Sequence, residues 1–174
     1  MSGNEFEVTT DLSIKLRAAK PEDEPFLLKV YASARADEMA LVPWSEAQRQ
    51  AFVAMQFAAQ QKHYVAEYPN ASHDIILADD RAVGRLYVAR LDEDIRIIDI
   101  TILTKERNRG IGTYLIGKVL EEAASTTGSV SIYVETFNPS LRLFERLGFI
   151  RTEQAGINFL LKWTSSGTLT EKAR

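Results

Sequence analysis

The chain has no cysteine. That removes disulfides, thiolate zinc sites and a cysteine nucleophile, and it agrees with a reducing compartment. Histidine is scarce too: His63 and His73 have no partner at ligand spacing, so no metal is expected. No apolar run approaches the ~18 residues that span a bilayer. The opening MSGNEFEVTTD is polar and acidic, unlike a signal peptide. The expected location is the cytoplasm, with no membrane partner. A basic surplus is also missing: with a formal net charge of −3, no bulk field recruits nucleic acid.

What is present reads as an ordinary globular chain of 174 residues, 45% hydrophobic and 26% charged. We expect a polar segment over 1–12, a single domain over 13–163 and a loose polar tail over 164–174. SIKLRAA alternates Ile14, Leu16 and Ala18 with polar neighbours, which predicts a first strand. Asp23 stands where an N-cap would, with Pro25 in the first turn of a helix running through FLLKVYASARADEM. Ser45 with Gln48 matches a capping box, predicting a second helix from Glu46 to about Tyr64 with Phe52, Met55 and Ala59 as its packing stripe. IILA and AVGRLYVA, joined through Asp79, Asp80 and Arg81, predict a tight hairpin, and IRIIDITIL extends it into a meander. A loop, RNRGIGT, then opens a helix to about Ser125, followed by the strand VSIYVET. The helix SLRLFERL stops at Gly148, and two β-like runs, GFIRTEQ and INFLLKW, close the pattern. The order β-α-α-β-β-β-α-β-α-β-β implies a mixed sheet flanked by helices. An exposed edge at INFLLKW would permit a homodimer.

A glycine pair between strand and helix places backbone N–H groups where an anion binds. Gly112 to Lys118 fits the P-loop spacing G-x-x-x-x-G-K, but Val119 follows where a magnesium-binding hydroxyl is required. A dinucleotide fingerprint starts well at Gly110 and Gly112, with Glu135 near the position of a ribose-binding acid. It meets Leu115 instead of a third small residue, and it follows a meander rather than a first strand. A pyrophosphate held by consecutive amides, with Arg107 and Arg109 at the rim, needs neither feature. A plain tight turn with solvated arginines is the structural alternative.

Two segments together resemble one family. ITILTKERNRGIGTYLIGKVLEEA is similar to the acetyl-CoA-binding motif of the GNAT acyltransferases, R/Q-x-x-G-x-G/A, through Arg107, Gly110 and Gly112. VETFNPSLRLFERLGF resembles the family's second motif through Asn138, Leu147, Gly148 and Phe149. The resemblance covers about Ser13 to Trp163. It implies an α/β (α+β) fold with a mixed, mostly antiparallel sheet of about six or seven strands and helices on both faces. It also implies acetyl-CoA as co-substrate, without a metal, and acetyl transfer to a small-molecule or peptide amine by direct attack. Amides of Arg107, Asn108, Arg109, Gly110, Ile111, Gly112 and Thr113 would cradle the pyrophosphate. Two strands would splay apart for the pantetheine arm, which Ile102 and Leu103 would bond through their main chain. Asn138 would touch the cofactor from the start of the last helix.

Direct attack needs a neutral amine, whereas a lysine-like amine has a pKa near ~10.4. Backbone N–H groups at the end of the fourth strand could polarise the thioester oxygen. Many family members carry a tyrosine acid in the last helix, beside the sulfur. This chain has Phe144 there, which cannot donate a proton and leaves a non-catalytic acyl-CoA binder as the alternative. Glu135 is the first candidate base: it ends its strand and shares a face with Ser131 and Tyr133, opposite Val130, Ile132 and Val134. A turn or capping carboxylate is its other reading. Asp99, within IIDITIL, is the second candidate, and an ion pair with an arginine such as Arg85 is the alternative for it. His63, Tyr64 and Trp44 are either acceptor-pocket residues or packing.

Overall fold

A computed structural model describes residues 11–166. Residues 1–10 of the expected polar segment and 167–174 of the expected tail lie outside the described residues. The elements follow the predicted order: β1 (Ile14–Ala18), α1 (Glu24–Ala40), α2 (Glu46–Glu67), β2 (Ser72–Ala78), β3 (Arg81–Arg90), β4 (Ile95–Ile102), α3 (Ile111–Ala124), β5 (Ser129–Glu135), α4 (Leu141–Arg146), β6 (Ile150–Ala155) and β7 (Asn158–Thr164). Short 3₁₀ turns at Pro21–Asp23 and Thr104–Glu106 lead into α1 and out of β4.

All seven strands join one sheet in the order β1-β2-β3-β4-β5-β7-β6. β4 and β5 run parallel, while β1–β2, β5–β7 and β6–β7 run antiparallel. The expectation of an exposed edge at INFLLKW is therefore corrected. β7 is paired along both sides, and β6 takes the edge. Every residue of β6 is exposed, Arg151 and Glu153 put charge along it, and its pairing with β7 shifts register between those two. Charge and a bulge on an edge discourage further strand addition.

The described residues group into two compact units. One contains Leu12–Tyr87 and Asp99–Arg109. Its core joins Leu27 and Tyr31 of α1, Val53 and Phe57 of α2 and Ile75 of β2. The expected stripe on α2 is thus rotated: Val53 and Phe57 are buried, Met55 is exposed, and Phe52 packs edge-on against Trp44 at 5.1 Å between centroids. α2 is apolar on more than one side, so burial against Ile75 selected the face. Its start follows the prediction. Ser45 N–H donates to Gln48 Oε1 at 2.9 Å, and Gln48 N–H donates to Ser45 Oγ at 3.2 Å. Asp23 does occupy the N-cap position of α1, but its carboxylate does not cap that helix. It accepts from Lys20 N–H at 2.8 Å and from both guanidinium ends of Arg17 at 2.7 Å, holding its own pKa well below the usual range. The β2–β3 turn is the predicted hairpin, with Asp79 and Asp80 at φ 49° and 61° as a two-residue primed turn requires.

The other unit contains Val88–Ile98 and residues 110–166. α3 buries Ile111, Leu115, Ile116, Val119 and Ala123 along one side. β5 follows the expected parity: Val130, Ile132 and Val134 are buried and Tyr133 is exposed. Ser131 lies on the other face and is buried as well, because Asp94 accepts its hydroxyl and Arg96 Nε donates to it at 2.7 Å. α4 ends at Gly148, whose φ of 92° few other residues tolerate, and Phe149 returns into the core.

Candidate active site

The RNRGIGT loop begins in the unit that holds Asp99–Arg109 and ends in the unit that holds α3. In the first, Arg107 folds back so that its Nε donates to the Ile102 carbonyl at 3.0 Å. Arg109 is ion-paired with Glu106, and Arg81 adds a second cation 3.5 Å from the same carboxylate. Glu106 is 5% exposed, so it is the buried anion that fixes the position of the exposed Arg109. Glu106 was not singled out from the sequence, although its place among the cations of KERNR was a signal. Leu103 is buried, and its N–H is already donated to the Val83 carbonyl at 2.9 Å. Its own carbonyl accepts from Glu106 N–H at 2.8 Å. A backbone N–H donates once, so an added strand along this segment would find its donors elsewhere than at Leu103.

In the second unit, Gly110 stands at the N-cap of α3 with φ 79°, a left-handed conformation that suits glycine. It has no side chain to cap the helix. The first intrahelical bond runs from Tyr114 N–H to the Gly110 carbonyl at 3.0 Å. Among the described residues, nothing accepts from the N–H groups of Ile111, Gly112 or Thr113. Three orphan donors and the positive end of the helix dipole converge where no side chain competes. Gly112 does not have positive φ, so turn geometry does not require glycine there. A missing side chain at that position leaves room for an approaching anion.

Downstream in the same unit, Asn138 N–H donates to the Glu135 carbonyl at 2.9 Å. Asn138 Oδ1 accepts from Ser140 N–H at 2.9 Å, which shapes the entry into α4. Glu135, half-buried, closes the β5–β7 ladder opposite Asn158. Phe144 is 2% exposed and meets Phe149 edge-on at 5.3 Å. No hydroxyl therefore comes from this position; it is a core contact. The β4–β5 ladder is short: it pairs Ile95–Val130, Arg96–Ser131 and Ile97–Ile132, although β4 continues to Ile102 and β5 to Glu135.

Asp99, with a side chain 15% exposed, has the ion-pair partner named from the sequence. Arg85 is 1% exposed and donates to Asp99 from Nε at 2.8 Å and also from Nη2. It reaches Gln61 Oε1 at 2.8 Å and Gln60 Oε1 at 2.5 Å, so α2 supplies the rest of its acceptors. Thr101 Oγ1 donates to the other Asp99 oxygen at 2.6 Å. Tyr64 lies under the Arg85 guanidinium at 5.9 Å, and burial followed by the Asp99 charge pushes its phenol pKa up. His73 stacks on Tyr87 at 4.4 Å, and its buried Nε2 has no partner. Burial and then the nearby Arg85 cation bring its pKa down to about 4, so it is neutral at pH 7. His63 and Trp44 are exposed. The described residues contain no cluster of His, Cys, Asp and Glu that could hold a metal.

The model of the acetyltransferase (GNAT) family matches residues 32–149, more than half of the chain. The chain belongs to this family. Solved structures agree on the fold. An N-acetyltransferase (PaiA) from Thermoplasma acidophilum, in complex with coenzyme A, is 15% identical with a TM-score of 0.65, over 87% of this chain and 99% of that one. An acetyltransferase from Thermus thermophilus is 17% identical with a TM-score of 0.65, over 90% and 99%. An Arabidopsis thaliana protein in complex with the bisubstrate analogue CoA-Ac-MVNAL is 16% identical with a TM-score of 0.55, over 87% and 99%. Among curated proteins, none matches this GNAT-family chain. The seven-stranded, mostly antiparallel sheet with its helices is the fold expected of the family.

Proposed function

We propose that this acyltransferase-family protein moves the acetyl group of acetyl-CoA to an amine by direct attack within a ternary complex. The observation that carries the reading is the uncapped start of α3, where the N–H groups of Ile111, Gly112 and Thr113 have no acceptor. A pyrophosphate would accept from them, with Arg107 and Arg109 adding positive charge. The arm would continue along the chain past Ile102, and Asn138 would meet the cofactor from the α4 entry. The coenzyme A bound to the Thermoplasma relative and the CoA-peptide analogue bound to the Arabidopsis relative support this cofactor.

The amine adds to the thioester carbon, the C–S bond breaks, and the thiolate leaves as CoA while the amine proton passes to a base or to water. Glu135 is the first candidate for that base and Asp99 the second. Asp99 is held by the Arg85 pair, which restricts its freedom to take a proton. Phe144 favours a second reading. With a buried phenylalanine where many family members carry a tyrosine acid, CoA leaves as the thiolate itself, or the protein binds acyl-CoA without turnover.

A thiol-release assay with acetyl-CoA across a panel of amines tests these readings. Acceptor-dependent CoA release is the expected result. Tight acetyl-CoA binding with no release for any amine would identify the binder instead. Thermal stabilisation by NADH and not by acetyl-CoA would overturn the cofactor assignment altogether.

A further inference from the structure

A groove of about 1070 Å³ lies between α1 and α2 and ends against the turn after β4. It is open because both helices face it with alanine: Ala32, Ala36 and Ala40 from α1, and Ala47, Ala51 and Ala54 from α2. Leu28, Met39, Val53 and Leu103 make its remaining apolar wall. The end of the groove is pinned by Ser33, whose Oγ lies 2.9 Å from Thr104 Oγ1 and accepts from Thr104 N–H at 3.2 Å. That turn follows Leu103, itself part of the lining, so the groove abuts the Ile102–Leu103 segment to which the acetyltransferase reading assigns the pantetheine arm.

Charge is unevenly distributed on this apolar lining. Lys29, Arg49 and Lys105 line the groove, and among the described residues none of them is ion-paired. Arg49 gives one Nη2 hydrogen bond to the Val42 carbonyl at 3.0 Å, and its buried Nε has no partner. Glu46 is the one carboxylate in the lining, and its Oε1 accepts from Gln50 at 3.0 Å. An apolar trough with three cations against one acid complements a ligand with an apolar body and an anionic end. A simple alkylamine would leave the cations unanswered, and a polycationic amine would be repelled.

We infer that the acceptor is an amphipathic amine carrying a carboxylate or comparable anion, such as an apolar amino acid. It lies in the α1–α2 groove with its anion at the end lined by Lys29 and Lys105, beside the Ser33–Thr104 contact. This rests on the acetyltransferase reading, but the groove is testable without turnover. The probes are N-acetyl-leucine and its neutral counterpart N-acetyl-leucinamide, titrated calorimetrically into the protein alone and with CoA bound. The carboxylate is expected to bind about tenfold more tightly than the amide, as one charge-assisted contact would give. Lys29→Gln combined with Lys105→Gln, both at exposed positions, should remove that preference while leaving affinity for the amide unchanged. Equal affinities, no binding of either probe, or a preference that survives the double variant would overturn the inference. If the preference stands and CoA does not bind, the cofactor reading alone has failed. If CoA binds and the preference is absent, the acceptor assignment alone has failed.

Discussion

α2 and α3 begin in opposite ways. α2 caps its own N-terminus: Ser45 Oγ accepts from Gln48 N–H, Gln48 Oε1 accepts from Ser45 N–H, and Glu46 adds negative charge in the first turn. α3 begins at a glycine in the left-handed region, with no cap, no acid in its first turn and three N–H groups that nothing described accepts from. A helix start without a cap leaves its donors open to water or to an approaching anion. The same division runs through the arginines. Arg85 is enclosed by Asp99, Gln60 and Gln61, whereas Arg107 is exposed and, among the described residues, bonded only to a carbonyl. Groups spent on the chain itself hold the fold, and groups left unspent are where a ligand finds partners.

If that division is right, substitutions at the two kinds of position should separate cleanly. The largest effect belongs to Asp99→Ala, which strands the Arg85 cation at 1% exposure. It should cost about 3–5 kcal/mol in urea denaturation. Gly112→Val should do the reverse. Valine fits the backbone there, so stability changes by no more than about 1 kcal/mol. Its side chain stands over the orphan N–H groups, and acetyl-CoA affinity measured by calorimetry should fall about a hundredfold. Ser45→Ala breaks the sealed start and should lower stability by about 1 kcal/mol with no change in acetyl-CoA affinity. An affinity loss at Ser45, or none at Gly112, would break the comparison.

A smaller effect comes from His73. Its folded pKa of about 4 lies below the ~6.5 of an unfolded histidine, so the unfolded chain binds the proton more readily. The stability it contributes is complete above pH ~6.5 and declines as the pH falls toward 4. Asp23 is also held below its ordinary value, but its contribution is lost only from about pH 3.9 downward, outside that window. His73→Phe keeps the stack on Tyr87 and removes the titration, so melting temperature plotted against pH should flatten between 6.5 and 4.

Features encoded over a few residues were legible before the fold was known. The capping box, the Asp79–Asp80 hairpin, the β5 parity and the Gly148 stop are each decided by neighbours within one turn or one strand. The errors arise where distant packing decides. Nothing local to INFLLKW says that it inserts between β5 and β6, because that depends on pairings made across the whole sheet. α2 carries Phe52, Val53, Met55 and Phe57 on adjoining faces, so which pair was buried waited on Ile75. Asp23 looked like a cap because its position was right, and Arg17, six residues back, claimed the carboxylate. At the site, glycine spacing and Arg107 were readable. The burial of Glu106 and the cations around the alanine-lined groove depend on tertiary contact, and no motif announces them.

What the open start of α3 holds separates a pyrophosphate site from a plain strand-to-helix turn. Calorimetric titration of acetyl-CoA against S-acetylpantetheine, which keeps the thioester and arm but lacks the pyrophosphate, asks this directly. Acetyl-CoA is expected to bind at least about a hundredfold more tightly, inorganic pyrophosphate to compete with it, and Gly112→Val to abolish the difference. Equal affinity for the two thioesters, or a difference untouched by Gly112→Val, would contradict the pyrophosphate site.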